Sequence, residues 1–450
     1  MGDPDAVFKA YDIRGTTPDQ LDSELCHRIG AAFARFVADA DGATCVLVAR
    51  DMRPTGVELA AAFADGVLGQ GLDVVDLGLG STDLVYFAAG KLDAPAAMFT
   101  ASHNPAQYNG IKLCLSGARP VGQDTGLGAI KVLTVDGVPE APSRGTATQQ
   151  DLLDAYADHV RSFVDLGNLR PLKVVADCAN GMGGLVVPAV FGPLPFDLEL
   201  LYPELDGTFP NHPADPIDPA NQRDLKARVL EVGADVGLAF DGDADRVFLV
   251  DERGEGMSGS TTTAVVAAGV LEREPGATIL YNCICSKAVP EVVRERGGIP
   301  VRTRVGHSFI KQVMVDTGAA FGGEHSAHYY FRENYRADSG CIAALLVLEQ
   351  LCRAGVPLSE LRTPFERYAA SGEINFRVPS PPAVVERIAA EYRDAQQDRL
   401  DGLTVDLGDW WFNVRPSNTE PLLRLNLEAN MPAEVEAHVA EVRSVIEKEA

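Results

Sequence analysis

Short apolar runs rich in β-branched residues recur along most of the chain. Each is followed by a Gly/Asp/Ser-rich turn and then an Ala/Leu-rich helical stretch. That alternation predicts α/β layers with largely buried strands. Three runs open such stretches: Cys45-Val46-Leu47-Val48-Ala49, Lys173-Val174-Val175-Ala176-Asp177 and Thr278-Ile279-Leu280-Tyr281-Asn282. Roughly 40 to 65 residues after each comes another apolar run entering a polar loop. These are Ala96-Ala97-Met98-Phe99 before TASHNP, Val236-Gly237-Leu238-Ala239-Phe240 before DGDADR, and Ala319-Ala320-Phe321 before GGEHSAH.

The pattern reads as three diverged copies of one α/β unit, with the three loops at equivalent strand ends. Ligands of open α/β sheets bind beyond the carboxyl ends of strands, so the loops are expected to face one shared cleft. A Pro/Gly/Ser connector at Val138–Gly145 and a turn cluster at Asp251–Gly256 separate the copies. The texture changes near 365–372, where Ile374–Val378 reads as a strand and Ala383–Leu400 as a helix, followed by two strand-like runs and a helix from Ala433. The expected division is 1–138, 150–251, 256–365, and a smaller α+β domain over 370–450.

Length supports several domains, since 450 residues is about three times the usual 150 per domain. The formal charge of −25 argues against nucleic acid or an anionic membrane surface as partner. An anionic ligand would therefore need a locally basic pocket. The eight cysteines are scattered and form no C-x-x-C pair, so they read as buried thiols. The first fifteen residues lack a signal-peptide pattern and no apolar run spans a membrane, so a cytoplasmic protein is expected.

Asp241-Gly242-Asp243-Ala244-Asp245-Arg246 is the sharpest chemical signal. Three alternate carboxylates after an apolar run supply hard oxygen ligands suited to Mg²⁺. An EF-hand fits the acidic spacing but fails at position 6, which is Arg246. A phosphatase using Asp241 as nucleophile and a solvated acidic turn are the other readings. In Thr100-Ala101-Ser102-His103-Asn104-Pro105, the serine could be a nucleophile, a phosphate carrier or a turn residue. His103, its neighbour in sequence, reads as poorly placed to serve it, and no G-x-S-x-G elbow is present. Arg415-Pro416-Ser417-Asn418-Thr419-Glu420-Pro421, with Arg424 beyond, gathers the donors a phosphate dianion needs. In Gly323-Glu324-His325-Ser326-Ala327-His328, Glu324 and Ser326 would point the same way in an extended segment and could hold sugar hydroxyls. Zinc on Glu324, His325 and His328 is the rival there.

Taken in this order, the four loops resemble those of the α-D-phosphohexomutases, the phosphoglucomutase and phosphomannomutase superfamily. TASHNPAQYNGIK looks like the family's phosphoserine loop, DGDADR its magnesium loop, GEHSAH its sugar loop and RPSNTEP its phosphate loop. FKAYDIRG, GTFPNHPADP and GHSFIK carry the resemblance across the rest of the chain. It implies three similar α/β mixed-sheet domains plus a smaller C-terminal α+β domain around a central cleft.

The implied activity is interconversion of mannose 6-phosphate and mannose 1-phosphate, and of the glucose pair, through phosphoserine and a hexose 1,6-bisphosphate. Asn418 resembles the mannose/glucose branch; a phosphoglucosamine mutase is the alternative. The resemblance further implies Mg²⁺ on Asp241, Asp243, Asp245 and a phosphoserine oxygen at Ser102. Arg14 and Lys112 would be basic groups near the reacting phosphate, with Lys112, Arg246 and His307 the acid/base candidates. Glu324 and Ser326 would hold the sugar, and Arg415, Ser417, Asn418, Thr419 and Arg424 the other phosphate. Ile284 stands where many relatives carry a basic residue. The partner is a phosphorylated hexose, with either a monomer or a dimer compatible with the sequence.

Overall fold

A computed structural model describes residues 2–416 and 422–448, apart from the side chains of Asp124 and His307. The chain forms two compact units. One comprises the residues up to Ser258 together with Ser326–Leu361; the other comprises Gly259–His325 and the residues from Arg362 onward.

In the first unit, the strand Cys45–Arg50 lies between Asp73–Leu79 on one side and Ala96–Phe99 on the other, both parallel to it. Tyr108–Leu115 then pairs antiparallel with Ala96–Phe99, and Ile13–Thr16 antiparallel with Tyr108–Leu115. A second sheet repeats the plan. Lys173–Asp177 lies between Asp197–Leu201 and Val236–Phe240, both parallel, and Val247–Asp251 closes an antiparallel hairpin on the latter. In the second unit, Thr278–Asn282 lies between parallel Ile299–Thr303 and Phe321–Gly323. The first strand of each repeat thus lies between two parallel neighbours in all three sheets, and the third strand leads directly into the polar loop. This shared order confirms the expected repeat. Parallel strands covered by helices on both faces must be apolar throughout, as Val236–Phe240 is: all five residues are buried.

The last sheet is antiparallel, in the order Ala369–Arg377, Leu422–Ala429, Trp410–Pro416, Leu403–Asp406, Gln396–Asp398. Its helix differs from the expected span, running Pro381–Glu391 rather than Ala383–Leu400. Tyr392 packs edge-on against Trp410 and Phe412. The Gln397 side-chain amide donates to the carbonyls of Ala389 and Tyr392 at 2.8 Å each, and so terminates the helix from outside. Gln396–Asp398 is then free to pair as a strand with Leu403–Asp406. The third repeat also differs in detail: its strand takes in Gly322 and Gly323, and a Cβ on Gly323 would collide with the Thr263 side chain. Among the described residues all eight cysteines are unpaired thiols, seven of them buried. No single described helix is long and apolar enough to cross a membrane.

One buried polar knot braces the first unit. Ser81 caps the helix Thr82–Lys91, and the fully buried Asp83 accepts hydrogen bonds from Ser81, from the Tyr156 hydroxyl at 2.5 Å and from Ser339 Oγ at 2.7 Å. Burial outweighs these donors and lifts the Asp83 carboxyl to about 6 from the ordinary 3.8. The folded state therefore favours the protonated acid. That stabilisation is complete below the ordinary value and is lost as pH rises through about 6. Asp83→Asn, which mimics the neutral acid, is expected to flatten the Tm-against-pH curve between those two values. An unchanged slope would assign it to another group.

Candidate active site

Ser102 stands three residues beyond the strand Ala96–Phe99, with a backbone φ of 49° in the left-handed region. This conformation is uncommon for a residue with a Cβ and turns the side chain abruptly out of the strand direction. The residue is nearly buried, and its Oγ donates to Asp241 Oδ2 at 2.8 Å. The two loops touch through backbone as well: a Cβ on Gly242 would run into the Ser102 carbonyl oxygen, so the D-G-D spacing admits the serine loop only with glycine at its centre.

Asp241, Asp243 and Asp245 are all buried, and each offers a carboxylate oxygen within 4.8 Å of the others. Three buried carboxylates this close repel strongly unless cations intervene. Two side chains supply part of that charge. Lys112 donates to Asp243 Oδ2 at 2.7 Å and to Asp245 Oδ2 at 2.6 Å. Arg246 donates from Nε to Asp241 Oδ2 at 3.0 Å, and its backbone N–H reaches Asp241 Oδ1 at 3.2 Å. Burial works against charge on Lys112, but the two carboxylates outweigh it and raise its pKa well above the usual lysine value. Burial likewise works to raise the Asp243 carboxyl, yet Lys112 and Thr82 hold it far below the ordinary range.

The cation count remains incomplete. Oδ1 of Asp243 and Oδ1 of Asp245 are buried with no hydrogen-bond partner among the described residues. A buried carboxylate oxygen left unmatched is costly. Two such atoms beside Asp241 and Ser102 form an all-oxygen donor set that fits a hard divalent cation.

Arg14, on the strand Ile13–Thr16, faces the same loop and donates to Asn104 Oδ1 at 2.5 Å. His103, expected to be badly placed, is beside the serine after all. Its Nδ1 lies 3.2 Å from Ser102 Oγ and 2.6 Å from Arg246 Nη2. A guanidinium only donates, so Nδ1 is the unprotonated nitrogen. Burial, then Arg246 and Arg14, push this imidazole well below the usual histidine pKa and keep it neutral. The left-handed turn at Ser102 is what folds the neighbouring side chain back, and nothing local in the sequence announces it.

Thr82 and Asp338 were not legible, and His328, a zinc candidate beside Glu324 and His325 in the sequence, joins other partners. Thr82, in the first turn of its helix, donates from Oγ1 to Asp243 Oδ2 at 2.6 Å, and its N–H reaches the Asp243 carbonyl at 3.1 Å. His328 Nε2 comes within 3.8 Å of Asp245 Oδ1, because His328 bridges to Arg246 through its backbone. Asp338 lies with them: Asp245, His328 and Asp338 form a second carboxylate–imidazole grouping. A hydroxyl-bearing helix N-terminus was the only available signal for Thr82.

Ser102, Lys112, Arg14, Arg246 and the three aspartates thus meet in one cluster. The remaining candidates are placed as follows. Glu324 is buried in the second unit and accepts from Asn282 Nδ2 at 3.1 Å and the Gly306 N–H at 3.2 Å. The segment after it is a turn, with Ala327 at a φ of 65°, so the extended geometry expected for Glu324 and Ser326 is not formed. Ser326, in the first unit, meets His328 Nδ1 at 3.1 Å. Arg415 and Arg424 face each other across a hairpin and share Glu373, at 2.8 Å and 3.2 Å. Their Nε atoms are buried with no hydrogen-bond partner among the described residues. His307 heads the helix His307–Thr317, but its side chain lies outside the described residues, as do Ser417, Asn418 and Thr419.

A repeated α/β fold with a serine, three carboxylates and converging cations at strand ends defines a class of phosphoryl-transfer proteins. The chain belongs to the phosphoglucomutase/phosphomannomutase family: the alpha/beta/alpha domains I, II and III match residues 5–133, 154–255 and 258–368, and the C-terminal domain matches 373–445. It is 41% identical over 435 residues to a phosphomannomutase of Salmonella montevideo, covering 94% of each chain. It is 42% identical over 428 residues to a protein of Xanthomonas campestris pv. campestris described as "phosphohexose mutases", again over 94% of each. Among solved structures, a phosphoglucomutase/phosphomannomutase family protein of Burkholderia thailandensis superposes with a TM-score of 0.90 at 32% identity, covering 100% of this chain and 99% of that one.

Proposed function

We propose that this protein interconverts mannose 6-phosphate and mannose 1-phosphate, and the corresponding glucose phosphates, as an intramolecular phosphotransferase. The observation that carries the reading is the buried Ser102 Oγ, 2.8 Å from a carboxylate in a trio of which two buried oxygens have no hydrogen-bond partner among the described residues. Phosphorylated Ser102 gives its phosphoryl group to the free hydroxyl of a bound hexose monophosphate. The Ser102 Oγ–P bond breaks as the new O–P bond forms, and the hydroxyl proton leaves to a base. The product, a hexose 1,6-bisphosphate, turns over and returns its other phosphoryl group to Ser102.

Asp241, Asp243 and Asp245, with an oxygen of the phosphoserine, would hold Mg²⁺. When bound, the ion offsets charge on the transferring phosphoryl group. Arg14, Lys112 and Arg246 surround the same position with fixed positive charge. Lys112, Arg246 and His307 are the acid/base candidates. Glu324 and Ser326 bind sugar hydroxyls common to both orientations. Arg415 and Arg424, with Ser417, Asn418 and Thr419, bind the phosphate that is not reacting. Their buried Nε atoms, which have no hydrogen-bond partner among the described residues, support an anion there. The four matched segments support a division into four domains near the expected boundaries. A cytoplasmic location and a phosphorylated hexose as substrate belong to the same reading.

The test is a parallel assay of mannose 1-phosphate, glucose 1-phosphate and glucosamine 1-phosphate with trace bisphosphate. The two neutral sugars are expected to turn over in preference to the amino sugar. A clear preference for glucosamine 1-phosphate would reassign the substrate.

A further inference from the structure

Arg53 is, with Arg246, among the largest fully buried side chains of the protein, and the reaction as described makes no use of it. It sits in the turn after the strand Cys45–Arg50. Its Nη1 donates to the carbonyls of Pro105 at 2.9 Å and Tyr108 at 2.8 Å. Its Nη2 donates to the carbonyls of Ser102 at 2.9 Å and Asn104 at 2.6 Å. Nε reaches Asp51 Oδ2 at 3.2 Å, and the Arg53 backbone N–H reaches Asp51 Oδ1 at 2.9 Å. All five N–H donors of the guanidinium are therefore spent. Four of the five go to carbonyls of one short segment, 102–108, that carries the reactive serine.

A segment distant in sequence covers the other side. The Phe209 ring lies over the guanidinium, 5.1 Å from its carbon, and Gly207 packs on the Arg53 backbone so closely that a Cβ would collide with it. These contacts account for the GTFP portion of the motif at 207–216, which the phosphoryl-transfer chemistry leaves unexplained.

We propose that Arg53 is a positioning residue for phosphoryl transfer, its guanidinium clamping the serine loop in the turn that presents Ser102 Oγ to Asp241. The inference rests on Ser102 as the phosphoryl carrier. The physical case has three parts. First, Ser102 is in the left-handed region, which persists only where surrounding contacts over-determine it. The bond to its own carbonyl is one such contact. Second, a trans peptide sets C=O and N–H in opposite directions, so pulling the Ser102 carbonyl toward Arg53 turns the His103 N–H away from it. Third, two of the four residues whose carbonyls are clamped, Ser102 and Asn104, also carry reaction-side side chains, with His103 between them. Ser102 meets Asp241, His103 meets Arg246, and the Asn104 side chain meets Arg14. A buried guanidinium is an expensive fastener if holding the fold is its only task. A planar fork that sets four carbonyls at once gives a rigidity that apolar packing does not.

Arg53→Lys tests this, because it keeps the charge but replaces the five-donor fork by three donors at one point. With the variant folded by circular dichroism, kcat is expected to fall about 100-fold, the scale of an ångström-sized misplacement of reacting groups. KM for mannose 1-phosphate should stay within a few-fold. The rate at which glucose 1,6-bisphosphate phosphorylates the dephosphorylated enzyme, followed by intact mass, should fall in step with kcat. A variant with a lower Tm but wild-type kcat and wild-type phosphorylation rate would overturn the proposal and leave Arg53 a structural residue. Should Arg53→Lys fail to fold, Phe209→Leu provides the second measurement. Loss of the ring over the guanidinium is expected to slow both rates about tenfold with KM unchanged; unchanged rates would again overturn it. Failure of the carrier reading looks different: the wild-type protein itself would take up no phosphoryl group.

Discussion

Ser102→Ala is expected to abolish mutase turnover and, with it, any phosphoryl adduct on the protein. In the proposed mechanism the alanine removes the atom through which the phosphoryl group is carried, the hydroxyl oxygen that meets Asp241. His103 and Arg246 would remain in place, since their mutual contact does not pass through Ser102 Oγ. The mass spectrum therefore reads the chemistry directly: an increment of about 80 Da, one phosphoryl group, in wild type and none in the variant. A phosphatase using Asp241 as nucleophile would behave oppositely, keeping its hydrolytic activity after the substitution. Retained mutase turnover in the alanine variant would sink the mechanism.

Asp243→Asn is the second large effect. Asp243 joins three things at once: the cluster of metal-suited oxygens, the Lys112 ammonium at 2.7 Å and the Thr82 hydroxyl at 2.6 Å. The neutral amide takes away one ligand charge and half the counter-charge of Lys112. A metal ion contributes several kcal/mol to charge stabilisation in such a step. At 1.36 kcal/mol per tenfold, the loss is on the order of 10³ in kcat. Titration of the variant with Mn²⁺, followed by the rise in Tm, should show weakened binding independently of turnover. Wild-type affinity for the ion would place the metal on other residues.

The repeat itself was legible because strand and helix periodicities are local. The expected runs at 45–49, 173–177 and 278–282 are interior strands, each between two parallel neighbours, of three sheets built on one plan. The C-terminal helix was overextended because its stop signal is tertiary: Gln397 bonding back to Ala389, and Tyr392 held by Trp410 and Phe412. The expectation of an extended segment at Glu324–Ser326 failed for a related reason. Its turn at Ala327 depends on a positive φ that neither alanine nor its neighbours advertise.

Residue type and spacing determined the chemistry of this protein: alternate carboxylates after an apolar run, a serine in a tight polar loop, and paired arginines in a hairpin. Those properties follow from side-chain composition within about ten residues of one another. The tertiary structure alone decided how the pieces meet, because the decisive contacts join positions far apart in the chain. Ser102 reaches Asp241 across 139 residues, and Thr82 reaches Asp243 across 161. The left-handed backbone at Ser102, the proton-free Nδ1 of His103 and the spent donors of Arg53 all follow from such encounters. They depend on burial and on partners' directions in space, and no window of sequence encodes either.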